Sequence, residues 1–220
     1  DWSSDVCSSD LVGGNDKKNV TYINGTHIDP ETTLCGLIYD VQSGAGIPDV
    51  VVSDGFNCTL TDANGVYQLI RDKRATQIFY STPADYAVYL SVIAGAELPY
   101  FYRKIDLSVK VYRQDFKLTR LSGGKETSFR LFCMADPQCR NEKSLARFQD
   151  ETIPDLEQTA KSFRDAGEVV YGITLGDITD NNKTSIWEAM KKSMASISGS
   201  VPFFQTIGNH DHLNETDNNV

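Results

Sequence analysis

The sequence contains no apolar run longer than a few residues, which excludes a membrane-spanning helix, since a span needs about 20 consecutive apolar positions. It has no Lys/Arg-rich stripe. Its 21 basic residues stand against 30 acidic ones, a formal net charge of −9, so an extended nucleic-acid surface is excluded as well. Cysteine is sparse: five in 220 residues do not make a disulfide scaffold, and the odd count asks which one is extra. There is no internal repeat and no initiator Met. What is present is ordinary for a globular chain: 40% hydrophobic residues, 16 glycines and 23% charged residues, which exclude collagen, coiled coil and wholesale disorder. A length of 220 residues allows one large domain or two small ones.

The extra cysteine is Cys7, within residues 1–11. This stretch has no apolar period and resembles one translated frame of a sequencing-adaptor oligonucleotide. It is read as a non-biological scar and set aside. A lipoprotein start at Cys7 is opposed by the lack of an apolar segment before it. Without Asp1, Asp5 and Asp10 the net charge moves from −9 to −6, and Cys35, Cys58, Cys133 and Cys139 remain. The natural N-terminus, with any signal peptide, is expected upstream.

Residues 12–30 are polar and rich in Gly, Asn and Lys, and read as a linker. Residues 31–120 carry short β-rich runs at 33–39, 50–53, 58–60, 66–70, 77–81, 86–90 and 109–118, separated by turn signals such as Asn64-Gly65. No helical period appears there, and a small antiparallel β-sandwich is expected. Residues 121–127 form a Gly-containing break. After it the texture changes. Residues 129–135 are a continuous apolar run, expected to be a strand buried on both faces. A helix is expected to start at Thr152-Ile153-Pro154 and to end at Gly167, a second strand at 169–175, a second helix at 186–198 with Ile186, Met190 and Met194 on one face, and a third strand at 201–207. This alternation predicts a parallel α/β unit over 128–220. Three strands are few for such a domain, so residues 128–220 are expected to be the truncated first half of a larger one.

Three polar clusters follow the three expected parallel strands: Asp136-Pro137-Gln138, Gly176-Asp177-Ile178-Thr179-Asp180 and Gly208-Asn209-His210-Asp211. The carboxyl ends of parallel strands converge where ligands bind. Carboxylate and amide oxygens suit hard divalent cations, and imidazole suits transition metals. A carboxylate between two clusters can bridge two ions about 3.5–4 Å apart, as two-metal hydrolases do. Gly176 and Gly208 would allow tight turns at a crowded site. Each signal alone is commonplace, since Asp after a strand is often a cap. Their combination in this order is specific.

In that order, Asp-x-Gln, Gly-Asp-x-x-Asp and Gly-Asn-His-Asp resemble the first three signature blocks of the calcineurin-like metallophosphoesterase superfamily. The resemblance covers about residues 128–212 and implies an α/β/β/α fold and hydrolysis of a phosphate mono- or diester through two divalent ions (Mn, Fe, Zn or Mg). It assigns Asp136 and Gln138 to the first metal, Asp177 to a bridge and Asn209 to the second metal. His210 would stabilise the transition state or protonate the leaving oxygen, and Asp211 would orient it. The usual first block is Asp-x-His, so Gln138 departs from the pattern and leaves metal identity open. Further ligands of the family come from later blocks, and this chain is expected to bind metal weakly and not to turn over.

The stretch from Gly36 through Pro48-Asp49-Val50-Val51-Val52 to Asn64-Gly65-Val66-Tyr67 resembles the carboxypeptidase-regulatory-like or transthyretin-like sandwich. In particular it resembles the module placed before phosphoesterases in Bacteroidetes-type secreted proteins. That implies a periplasmic, secreted or envelope location and a phosphorylated small molecule or envelope-linked phosphoester as partner, with carbohydrate contact open to the sandwich. The rival reading is a non-catalytic envelope-binding or structural module built on the sandwich. Cys35 and Cys58 are open to a disulfide or to two small buried hydrophobes. A Cys133/Cys139 metal pair matches no zinc spacing. Tyr86, Tyr89, Tyr100, Phe101 and Tyr102 are open to a ligand groove or to core. His27 and His212 lie in polar stretches and are expected to be solvated.

Overall fold

The β-branched and aromatic runs of the first half become short strands whose inward positions make one core. A computed structural model describes residues 20–93, 96–180, 184–198 and 201–211. Residues 1–11, residues 12–19 of the expected linker, and His212 lie outside the described residues. The chain divides into two compact units, one within Asp1–Tyr89 and Tyr100–Glu126, the other within Leu90–Pro99 and Thr127–Val220.

The first unit opens with a hairpin, β1 (Tyr22–Ile23) and β2 (Thr26–His27), whose turn Asn24-Gly25 has positive φ at both residues (44° and 85°). Residues 20–30 therefore belong to the folded unit, in contrast to the expected linker. Ile23 and Ile28 are buried with Cys35 and Val66. His27 is exposed. Then follow β3 (Leu34–Asp40), β4 (Val51–Ser53), β5 (Cys58–Leu60), β6 (Val66–Leu69), β7 (Gln77–Tyr80) and β8 (Tyr86–Val88). After the hairpin β9 (Leu90–Ile93) and β10 (Ala96–Pro99) come β11 (Tyr102–Lys104), β12 (Tyr112–Arg113) and β13 (Phe116–Arg120).

One sheet has the order β11-β7-β4-β5 and is antiparallel throughout. The other is built on β3, which pairs antiparallel with β6 but parallel with β12 and β13. The expected purely antiparallel sandwich is thus corrected to one with a mixed sheet. The long return from β3 to β12 supplies the crossover that parallel pairing requires. The expected run 109–118 is split because the Asp115 carboxylate accepts the Leu37 N–H at 2.9 Å, replacing a ladder bond with a side-chain bond. Both sheets contribute to one core: Val52 and Ile78 from one, Leu34, Ile38, Tyr67 and Phe116 from the other. Tyr86 lies in that core, and Tyr100 and Phe101 pack against it, which favours the core reading of the aromatics. Cys35 is buried, Cys58 is exposed, and both are free thiols, so they form no bridge.

The hairpin β9–β10, read from sequence as sandwich, groups with the second unit, where β10 packs along helix and strand residues of that unit. The rest of the unit is β14 (Arg130–Met134), α1 (Glu142–Arg147), α2 (Ile153–Asp165), β15 (Val170–Thr174), α3 (Thr184–Ser198) and β16 (Phe203–Phe204). The sheet β14-β15-β16 is parallel. Its first helix starts earlier than Pro154. Asn141 caps α1 with a reciprocal bond to Ser144, and a π-helical turn, Phe148–Thr152, joins α1 to α2. Pro154 has no N–H for a regular helical bond, and just before it the Ile153 N–H reaches back five residues to the Phe148 carbonyl. Among the described residues no helix is long and apolar enough to cross a membrane.

Three strands in sequential order with right-handed crossovers place both connecting helices on one side of the sheet. Phe132, Met134, Val170 and Phe203 pack there with Leu156 and Ala160 of α2 and with Ile186, Met190 and Met194 of α3. The opposite face carries Leu131, Cys133, Tyr171 and Ile173, and Phe129, Leu131 and Leu175 are about half exposed at 57%, 49% and 55%. The expectation that 129–135 is buried on both faces is therefore corrected: β14 is an edge strand with one covered face.

Candidate functional site

The parallel ladder does not stop at the ends of β14 and β15. The loops that follow stay side by side: Gln138 N–H donates to Asp177 O at 2.9 Å, Cys139 N–H to Ile178 O at 3.3 Å, and Asp180 N–H to Cys139 O at 3.3 Å. This register puts the first two polar clusters against each other. The third arrives after β16, where Asn209–Asp211 form a single 3-10 turn.

Asp177 is the hub. Its Oδ1 accepts the His210 backbone N–H at 3.0 Å, and its Oδ2 lies 3.4 Å from Gln138 Nε2. The His210 N–H is the main cause holding its carboxyl below the usual carboxylate range. Burial works against this, while the charge of His210 and the hydrogen bond from the Gln138 side chain add to it. Gly208 lies so close that a Cβ there would overlap the Asp177 carboxylate and backbone nitrogen. A Cβ on Gly176 would come within 2.8 Å of Gly208 N. Both glycines are required by this crossing of two loops.

The backbone is strained at the same place. Among the described residues five non-glycine residues have positive φ, and three of them are Asp136 (45°), Gln138 (39°) and Asp177 (51°). Such conformations are uncommon outside glycine and collect at functional sites.

The two remaining residues divide their roles differently from the expectation. The Asp211 carboxylate accepts the N–H groups of Ile178 (3.1 Å), Thr179 (2.8 Å) and Gly208 (3.0 Å), so it ties two loops together. The His210 ring is held by a backbone oxygen instead: Nδ1 lies 2.8 Å from Asp180 O. A carbonyl can only accept, so Nδ1 carries the proton and Nε2 is the ring nitrogen open to an incoming group. Asn209 is exposed at the start of the turn. Cys139 is buried with the helical core, its Sγ 3.7 Å from Ser144 O, whereas Cys133 is exposed on the other face of the sheet, so the two form no metal pair.

For a divalent ion the donors Asp136, Gln138 and Asp177 fit in chemistry, being oxygen-bearing side chains, the last two linked by a hydrogen bond. Among the described residues no group of three or more His, Cys, Asp and Glu side chains is arranged to hold one. Sequence reasoning passed over Asp180 as the partner of His210, and over Arg140, whose guanidinium pairs with Asp180 at 3.0 Å.

The arrangement is that of a parallel α/β unit with a polar strand-end site, preceded by a β-sandwich. Residues 33–121 match the family described as N terminal of Calcineurin-like phosphoesterase. The matched stretch runs from just before β3 to just after β13 and lies ahead of the strand-end residues. No curated protein matches the chain.

Proposed function

We propose that residues 128–220 are part of a metal-dependent phosphoesterase domain that hydrolyses a phosphate mono- or diester, with residues 31–120 as a β-sandwich module before it. The observation that carries this reading is the meeting of Asp136, Gln138, Asp177 and the Asn209–Asp211 turn at one end of a parallel sheet, three of the residues in strained backbone. The family match of the preceding stretch supports it. Asp136, Gln138, Asp177 and Asn209 would hold two divalent ions, with the neutral Gln138 amide favouring Mn or Mg over Zn at its position. Bound there, the ions would lower the pKa of a water and neutralise phosphoryl oxygens. In its imidazolium form, with Nδ1–H held by Asp180 O, His210 would donate the Nε2 proton to the leaving oxygen or bond a phosphoryl oxygen through Nε2–H. Asp180 fixes its tautomer, and Asp211 holds the loops that carry both.

The same proposal takes residues 128–220 as the first half of that domain, with weak metal binding and no turnover by this chain; the half-exposed apolar face of β14 and β15 supports it. A phosphorylated small molecule or envelope-linked phosphoester as substrate, and a periplasmic or envelope location, follow from the sandwich resemblance. The test is hydrolysis of aryl phosphate mono- and diesters with Mn²⁺ by the product of the extended gene. Asp177→Ala and Asn209→Ala should each abolish it, and unchanged turnover in either variant refutes the assignment.

A further inference from the structure

Arg140 lies two residues beyond Gln138 and continues the register of the joined loops. Its backbone N–H donates to Ser144 Oγ at 3.0 Å, in the cap of α1, which fixes where its side chain begins. Its Nε and Nη2 face the Asp180 carboxylate at 3.0 and 3.4 Å. Asp180 thus holds two groups at once: the guanidinium through its carboxylate and the His210 ring through its carbonyl. The Arg140 side chain is 67% exposed. Such a pair contributes little to stability. Of the five N–H bonds of a guanidinium, two are turned to Asp180, and among the described residues the outer edge meets no acceptor. In the three strand-end segments 136–140, 176–180 and 208–211 there are four aspartates, and Arg140 is the only Lys or Arg.

A permanent cation, pre-oriented by the same Asp180 that holds the His210 ring, is suited to bidentate recognition of a phosphoryl or carboxylate group. We propose that Arg140 is a specificity residue that receives a second anionic group of the substrate, next to the phosphorus under attack. The substrate would then be a diphosphate or a phosphate ester bearing a carboxylate. This deepens the phosphoesterase reading of the neighbouring site and rests on it.

The test is titration of the 220-residue chain with orthophosphate, pyrophosphate and phosphoglycolate, each with Mg²⁺ in fixed excess and without metal, for the wild type, Arg140→Met and Arg140→Lys. Chelation in solution is the same for every variant, so the comparison between variants is clean. The wild type should bind at least one of the two-anion probes more tightly than orthophosphate by about 10- to 100-fold, the range for hydrogen bonds to charged groups. Which probe gains more identifies the second group. Arg140→Met should bring both within about threefold of orthophosphate, and Arg140→Lys should recover part of the preference, since lysine keeps the charge and loses the fork. No preference in the wild type, or a preference that survives Arg140→Met, overturns the proposal. Mn²⁺ binding compared between the wild type and Asp177→Asn judges the metal site separately. Loss of metal binding with no Arg140 effect removes this proposal alone. An Arg140 effect with metal binding indifferent to Asp177 supports it and removes the metal assignment.

Discussion

Replacing Asp211 by Ala tests whether one side chain ties the site's loops together. Its carboxylate accepts three backbone N–H groups, from Ile178, Thr179 and Gly208, at 2.8–3.1 Å. Asp211, Ile178 and Thr179 are all buried. Alanine removes the acceptor that these N–H groups share. A hydrogen bond to a charged group contributes about 1.5–3 kcal/mol, and a buried donor left unmet costs about 1–3 kcal/mol. Bonds that share one side chain do not add, so the expected loss is about 3–5 kcal/mol. That is a large part of the ~5–15 kcal/mol that holds a typical domain. Asp211→Asn keeps the shape and one acceptor oxygen, and should lose about half as much. The assay is urea unfolding followed by the fluorescence of Trp187, which packs on the core of the second unit. A Trp2→Phe background leaves it the single tryptophan. A loss below about 1 kcal/mol for Asp211→Ala would show that these bonds do not hold the loops.

Two further outcomes follow from the first unit and the thiols. Hydrogen bonds from Arg74 hold the Asp72 carboxyl down at about 2, against an ordinary 3.8. A depressed carboxyl stabilises the fold above its unfolded value and stops doing so as pH falls through its folded one, so the first unit should lose stability between pH 3.8 and about 2. Asp72→Asn should flatten that slope in urea melts taken across the same range, and an unchanged slope counts against the pairing. Burial pushes the Cys35 thiol up to about 11 and raises that of Cys139, while Cys58 and Cys133 are exposed. Peptide mapping after brief iodoacetamide treatment at pH 8 should find Cys58 and Cys133 modified, with Cys35 and Cys139 protected until urea is added. Early modification of Cys35 contradicts the packing around β3.

Elements set by local pattern were legible in the sequence. The run 58–60 coincides with β5, and Ile186, Met190 and Met194 share the buried face of α3. The three polar clusters could be placed because strand-end position follows from alternation alone. What depends on distant partners was not legible. An apolar run such as 129–135 does not reveal whether a second layer covers it, and here both helices fall on one side. The strands β1 and β2 are two residues each, too short for alternation to register, although their Asn24-Gly25 turn was a usable signal. The start of α1 was hidden because Pro154 looks like a first-turn proline, whereas it follows a π-helical turn inside a longer helical stretch. Residue type suggests a carboxylate beside a histidine, and the adjacent Asp211 was the natural choice. The acceptor is the main-chain oxygen of Asp180, which no residue type encodes.

The proposed role of Asp177 as the hub of a divalent-metal site is open to Mn²⁺ titration followed by electron paramagnetic resonance. The wild-type chain should remove free Mn²⁺ from solution. Asp177→Asn, with its circular dichroism unchanged, should lose that binding by tenfold or more, the effect of about 1.4 kcal/mol. Equal Mn²⁺ binding by the two proteins, or none by the wild type at millimolar concentration, would contradict it.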